Sequence, residues 1–571
     1  MASYYFHNQG GNWTDTTKWA ASDASALLNI NDGATPTASD DVFLTANSGQ
    51  CTISAASVGK SLNCTGYTGT LTHNAFTLTL SGSATFVSGM TYPNVSSTSG
   101  ALSFNASATL TTGGKRMKAI LTSGTMTLTV GDNLTFLDAK TASLSIGTST
   151  TFNQNGFAIA GDSSVNRLLI QTSVLGTQRT ITNMTTSFSN VDFRDIAPAS
   201  GSVDLSAITG LSGDCGGNTN ITFTTAATQT YTGGTDSWST AARWTSRVPL
   251  PQDNVSMAGV TGGTITADMP RLGKSIDWTG ASGSPTFTNS IATTSYGSIT
   301  QISAMTATWS NTHTLEGRSS FAITSAGKSF GNLTQAAFGG TYTLQDALTS
   351  TAVLTVANGT FDTGSFNVTL STQFTFTGSA LRQVNFGSST INPGASGNIW
   401  NIGGSNLTVN AGTSTIVFTD TGAGSKTFTG ASQTYNNLSI SGGGAGAVII
   451  TGANTFNRIY TNGGGTKSIT LPGSTTTTIV SGQGLNNGTN VITFTASAGS
   501  ATVAKSGGGI VDWKSVNLTN IIASAADTWY AGTAPPSVDG GGNTNWIFLD
   551  APNAAGSRKI ALAGLWWDEE E

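Results

Sequence analysis

The chain has 571 residues, of which 37% are hydrophobic, 9% are charged and 71 are glycine. That charge content is far below the quarter usual in soluble domains, and only four glutamates occur, Glu316 and Glu569 to Glu571, which argues against an all-helical or ordinary α/β enzyme. A net charge of −5 with no basic run argues against nucleic-acid binding.

In chain order, the N-terminal Met1-Ala2-Ser3-Tyr4-Tyr5-Phe6 has neither a basic nor an apolar leader segment, so synthesis in the cytoplasm without a signal peptide is expected. No apolar run is long enough for a membrane helix, and membrane insertion is not expected. An opening element follows: Gly11-Asn12-Trp13, Trp19, Pro36, Asp40-Asp41-Val42, Thr52-Ile53-Ser54-Ala55 and Lys60-Ser61-Leu62-Asn63-Cys64-Thr65-Gly66. It recurs as Ser237-Trp238, Trp244, Pro249, Asp253-Asn254-Val255, Thr264-Ile265-Thr266-Ala267 and Lys274-Ser275-Ile276-Asp277-Trp278-Thr279-Gly280, with the two tryptophans equally spaced.

A closing element recurs too. Val191-Asp192-Phe193-Arg194 leads to Asp214-Cys215-Gly216-Gly217-Asn218-Thr219-Asn220-Ile221, and Val511-Asp512-Trp513-Lys514 leads to Asp539-Gly540-Gly541-Gly542-Asn543-Thr544-Asn545-Trp546. Internal repetition on this scale is the signature of a stacked architecture. It divides the chain into a first module, 1–225, a longer second module, 226–549, and a tail, 550–571.

Between openings and closures run alternating segments such as Phe76-Thr77-Leu78-Thr79-Leu80, Met126-Thr127-Leu128-Thr129-Val130 and Val491-Ile492-Thr493-Phe494-Thr495. Period-two alternation rich in β-branched residues predicts short half-buried strands, and the Gly, Ser and Asn between them predict turns. The fold expected is all-β, a right-handed parallel β-helix in two tandem modules, with chained β-sandwiches as the alternative. The Trp-rich openings are expected to cap the stacks, because an open coil exposes strand edges.

Chemistry-bearing residues are sparse. His7, His73 and His313 share no metal-ligand spacing and read as strand or surface histidines. Asp40 and Asp41, adjacent on a strand, point apart, and read as a structural turn rather than an acid/base pair. Asp214 and Asp539 read as turn residues before calcium ligands, and the Gly442–Gly446 and Gly463–Gly465 runs as tight corners. Cys51, Cys64 and Cys215 read as buried free thiols, with a Cys51–Cys64 bond left open. Trp13, Trp19, Trp238 and Trp244 are the candidates for glycan stacking, with core or cap the competing reading. In the tail, Leu565, Trp566, Trp567 and Asp568 form a candidate docking peptide. No catalytic residue, metal site or cofactor is expected.

The opening Gly-Asn-Trp…Trp…Pro…Asp-Asp-Val, the Lys-Ser-Leu-Asn-Cys-Thr-Gly segment and the closing Gly-Gly-Asn-Thr-Asn-Trp-Ile-Phe resemble Gly/Thr-rich β-helical fibre, spike and decoration proteins of tailed bacteriophages, with related repeats on bacterial surfaces. The resemblance implies a non-enzymatic structural protein exposed on the virion. Its implied partners are other virion proteins, further copies of itself with a trimer favoured, and host-surface polysaccharide. A tailspike depolymerase and a bacterial adhesin are the alternatives; no depolymerase motif carries over onto these residues.

Overall fold

The computed structural model describes residues 2–27, 33–93, 100–137, 140–394, 396–442, 446–461, 467–481, 491–533 and 536–552. It is 48% strand and 2% helix, and its stacked parallel strands form a β-solenoid of about 21 turns. One compact unit comprises 1–367 with 378–384 and 405–408; the second comprises 368–377, 385–404 and the chain from 409.

The alternation seen in sequence sorts side chains by face. In the first unit, Leu78, Leu102, Ile120, Leu144, Ile170 and Phe193 lie directly opposite one another on successive turns, each almost wholly buried. Residues of the opposite parity point outward: Thr109, Thr129, Asn153 and Thr182 form one such ladder. The second unit repeats the scheme with Val448, Ile469, Phe494 and Leu518 inside and Thr470, Thr495 and Thr519 outside, the first two hydroxyls 3.3 Å apart. Parallel pairing of residues one turn apart is what separates this fold from sandwiches of antiparallel hairpins. Turns use more than glycine: Asn183, Asn190, Asp195, Asn220, Asn520 and Asn545 all take positive φ, a conformation Asn and Asp tolerate better than other side chains.

Among the described residues, no sheet contains strands from both sides of residues 223–227; the strands up to Ile221–Thr222 form one set and those from Thr228–Gly233 another. The chain therefore builds two stacks. The boundary between compact units nevertheless falls near residue 367, inside the second sequence module. The physical reason is a side-to-side seam between the late turns of the first stack and the early turns of the second.

Candidate functional site: hooks, turns and the seam

Each stack opens with the same tryptophan hook. Trp13 N–H donates to Thr52 O and Trp238 N–H to Thr266 O, both at 2.8 Å. A short 3-10 turn then brings a second indole back, so that Trp19 Nε1 donates to Trp13 O and Trp244 Nε1 to Trp238 O, both at 2.7 Å. The rings meet edge to face at 5.0 and 4.9 Å. Trp19 lies in the last strand of its sheet, Trp19–Ala20, which pairs antiparallel with Ser3–Phe6; Trp244 makes an antiparallel bridge to Tyr231. Reversing direction in this way covers the open strand edge of the first turn.

These contacts remove the four tryptophans as glycan platforms. Trp13, Trp19, Trp238 and Trp244 are 1%, 0%, 0% and 6% exposed, and a buried ring has no face for a sugar to stack on. The other candidates, Leu565, Trp566, Trp567 and Asp568, lie outside the described residues, as do 443–445 and 463–465 of the glycine runs.

The aspartates of the openings are turn residues, as expected. Asp40 accepts from the Ala2 and Thr37 amides, and Asp253 from the Ala227 and Leu250 amides. Asp41 points the other way, to Lys60 and Ser61. The Thr37 hydroxyl and these amides hold the Asp40 carboxyl below its ordinary value. The closing aspartates also cap turns: Asp214 accepts from Gly216 N–H and Asn218 Nδ2, and Asp539 from Gly541 N–H and Asn543 Nδ2. Among the described residues, no three acidic, Cys or His side chains are grouped to hold a metal ion.

The strand that this closing turn grips corrects the sequence alignment. Asn218 donates to Phe193 O and accepts from Ile196 N–H; Asn543 donates to Leu518 O and accepts from Ile521 N–H. The counterpart of Val191-Asp192-Phe193-Arg194-Asp195 is therefore Val516-Asn517-Leu518-Thr519-Asn520, five residues beyond the Val511-Asp512-Trp513-Lys514 that resembles it. The positive φ of Asp195 and Asn520, 57° and 58°, fits this register, and both closing aspartates then stand 22 residues beyond the matched position.

The seam is the feature that sequence reasoning missed. Asp192, fully buried, takes Arg167 Nε on both carboxylate oxygens at 2.9 and 3.0 Å, and Arg271 of the second stack on Oδ2. Arg271 Nη2 donates to Arg167 O, and Arg167 Nη2 to Pro249 O. Arg194 reaches both Glu316 oxygens at 2.7 Å, Arg318 pairs with Asp195 at 2.7 Å, and Lys140 pairs with Asp268. Burial opposes the charged guanidinium of Arg271, but Asp192 outweighs it and the pKa is raised; Arg194 is raised in the same way by Glu316. Gln252 completes the join, accepting from Asp214 N–H and donating to Ser212 O and Thr224 O. Gly213 is required here: a Cβ would lie 2.7 Å from Pro251 Cδ and 2.0 Å from Asp192 Oδ1. The signal in sequence was Glu316, the only glutamate before the tail, in a chain with 23 Lys and Arg.

A cleft of about 250 Å³ opens on the seam, lined in part by Asp214, Lys274, Tyr296, Glu316 and Arg318. Glu316 is held there by Arg194, so neither oxygen is unengaged for proton transfer. The remaining candidates are structural. His313 is a strand residue as expected, but it is wholly buried rather than at the surface, hydrogen-bonded to Thr293 and Ser295, and burial pushes its pKa down to about 3. His73 is likewise buried, between Tyr92 and Phe76 O, and its pKa is lowered by burial. Cys51, Cys64 and Cys215 are free and buried, and burial raises each thiol pKa.

No protein-family model, curated protein or solved structure matches the chain.

Proposed function

We propose that the protein is a non-enzymatic structural component of a tailed-bacteriophage particle, a β-solenoid fibre, spike or head decoration exposed on the virion. The observation that carries this reading is the solenoid of about 21 turns, whose outer rungs are hydroxyl and amide ladders with few charges. Ladders such as Thr109-Thr129-Asn153-Thr182 offer repeated hydrogen-bonding groups at about the 4.8 Å spacing of parallel strands. That surface suits polysaccharide on a host cell or neighbouring virion proteins.

Two features support a structural rather than a catalytic role. The buried acids of the seam are engaged by arginines. Among the described residues, the carboxyls with displaced pKa values, including Asp40, Asp41, Asp236 and Asp268, are lowered, whereas a general acid needs a raised one.

The test is labelling of intact particles with an antibody to this chain, imaged by electron microscopy. Regular decoration of head or tail is expected, and absence from purified particles overturns the reading. Incubation with host capsular polysaccharide is expected to give binding without cleavage; release of new sugar ends would make the protein a depolymerase instead. Recovery in the bacterial envelope would make it an adhesin.

A further inference from the structure

The chain contains one joint between stacks and two surfaces equivalent to its halves. Hydrogen bonds and register fix the equivalence. In the openings, Asp40 and Asp253 make matching bonds, and the next turns begin with Lys60 N–H and Lys274 N–H donating to their carbonyls at 2.8 and 2.7 Å. Pro251 thus corresponds to Ala38. Val58 is opposite Thr79, as Arg271 is opposite Thr294; Val58 directly precedes the Gly59–Leu80 rung, whereas Arg271 stands two residues before the Gly273–Ser295 rung, across a register shift that takes in Leu272. One rung further, Asn105 N–H donates to Leu80 O as Glu316 N–H donates to Ser295 O. The corner carrying Glu316 and Arg318 is therefore Asn105-Ala106-Ser107 in the first stack. In the closures, Gly213 lies opposite Asp192 and Val538 opposite Asn517.

Asp192, Arg194, Asp195, Arg271, Glu316 and Arg318 are all replaced by neutral residues in the equivalent surface, on both sides at once. Asp192 and Arg271 become Asn517 and Val58. Arg194 and Glu316 become Thr519 and Asn105. Asp195 becomes Asn520, and the corner of Arg318 carries no charge. Volume changes in a matched way: glycine becomes valine at Val538, where the facing proline becomes alanine at Ala38. Val58 and Val538 are 40% and 51% exposed. An unpartnered surface has no reason to lose a charge and gain a methyl group in step with a second surface about 480 residues away in sequence. Two surfaces that meet do, because a charge left on one alone is buried without a partner.

We propose that copies of this chain associate head to tail, the closing turns of one copy's second stack docking on the opening turns of the next copy's first stack. The register is that of the internal joint, and Val538 packs against Ala38 and Val58. Such a contact is heterologous, and it links chains into an open filament or, where the rotation per copy closes, a ring. The ionic internal joint also guards the register. Set against Val58 and Asn105, Asp192 would lose Arg271 and Arg194 would lose Glu316 in a desolvated contact, so the two joints do not exchange partners.

The experiment is light scattering and sedimentation of the full chain over a wide dilution series. Mass is expected to rise with concentration above that of the monomer; a monomer throughout overturns the proposal. Val58→Asp and Val538→Arg, both at exposed positions, are each expected to weaken association roughly tenfold or more, with circular dichroism and thermal unfolding unchanged. Mixing the two variants restores association, because the introduced aspartate and arginine meet at one joint and the native valines meet at the other. Association of either variant alone at the wild-type level, or failure of the mixture to recover, removes the proposed joint.

Discussion

The two closures use the same turn on opposite terms. At the first, Asp214 and Asn218 clamp a strand whose outward residues, Asp192, Arg194 and Asp195, are all taken up by arginines or glutamate of the neighbouring stack. At the second, Asp539 and Asn543 clamp a strand whose outward residues are Asn517 and Thr519. There the terminal turns are filled by Trp513, Trp529 and Trp546, with ring centroids 5.2–5.4 Å apart. The turn chemistry is local and copied. What differs is the charge of the strand it clamps: a buried carboxylate is retained only where guanidiniums reach it.

The comparison can be broken most strongly at Asp192. Asp192→Ala leaves Arg167 and Arg271 buried without their carboxylate and is expected to cost about 3–5 kcal/mol. Asn517→Ala is expected to cost less than about 1 kcal/mol. Chemical denaturation of both variants checks this, and equal losses would mean that the seam contributes nothing special.

Gly213→Val places methyl groups against Pro251 and Asp192 and is expected to cost about 1–3 kcal/mol by overpacking. Val538→Gly is expected to stay near or below 1 kcal/mol, because that position is half exposed. Thermal unfolding midpoints distinguish the two.

A pH dependence tests the burial of His313. His313 is neutral in the folded chain down to about pH 3, whereas the unfolded chain binds a proton below about pH 6.5. Above that pH neither state is charged and the residue contributes nothing to the slope. As pH falls through the window from about 6.5 to 3, stability is lost at roughly 1.4 kcal/mol per pH unit, about 2 kcal/mol by pH 5. Denaturation curves at pH 7 and 5 are expected to show this loss, and His313→Gln to reduce it. The smallest effect is expected at the exposed Lys514–Asp512 pair: Lys514→Ala should change stability by no more than about 0.5 kcal/mol.

Much of the fold was legible because it rests on local rules. Thr-apolar alternation placed ladders such as Leu78-Leu102-Ile120, and the Trp13/Trp19 and Trp238/Trp244 spacing marked the openings. What those tryptophans do was less legible, since an indole that stacks on sugar and one that seals a strand edge have the same spacing. The seam was marked in the sequence only by the lone Glu316. Asp192 and Arg271 are 79 residues apart, and neither sits in a pattern that announces its partner. The closing register failed for a related reason: Val511-Asp512-Trp513-Lys514 copies the polarity of Val191-Asp192-Phe193-Arg194, but the Asn543 side chain bonds Leu518 and so selects the next strand.

The most direct test of the account is a double-mutant cycle between Asp192→Asn and Arg271→Gln, read by chemical denaturation of the full chain. A carboxylate shared by two buried guanidiniums across the seam predicts a coupling toward the upper part of the 0.5–3 kcal/mol range found for contacting residues, about 2 kcal/mol. Additive losses, with coupling near zero, would show that the two stacks are not locked together through Asp192 and would contradict the account.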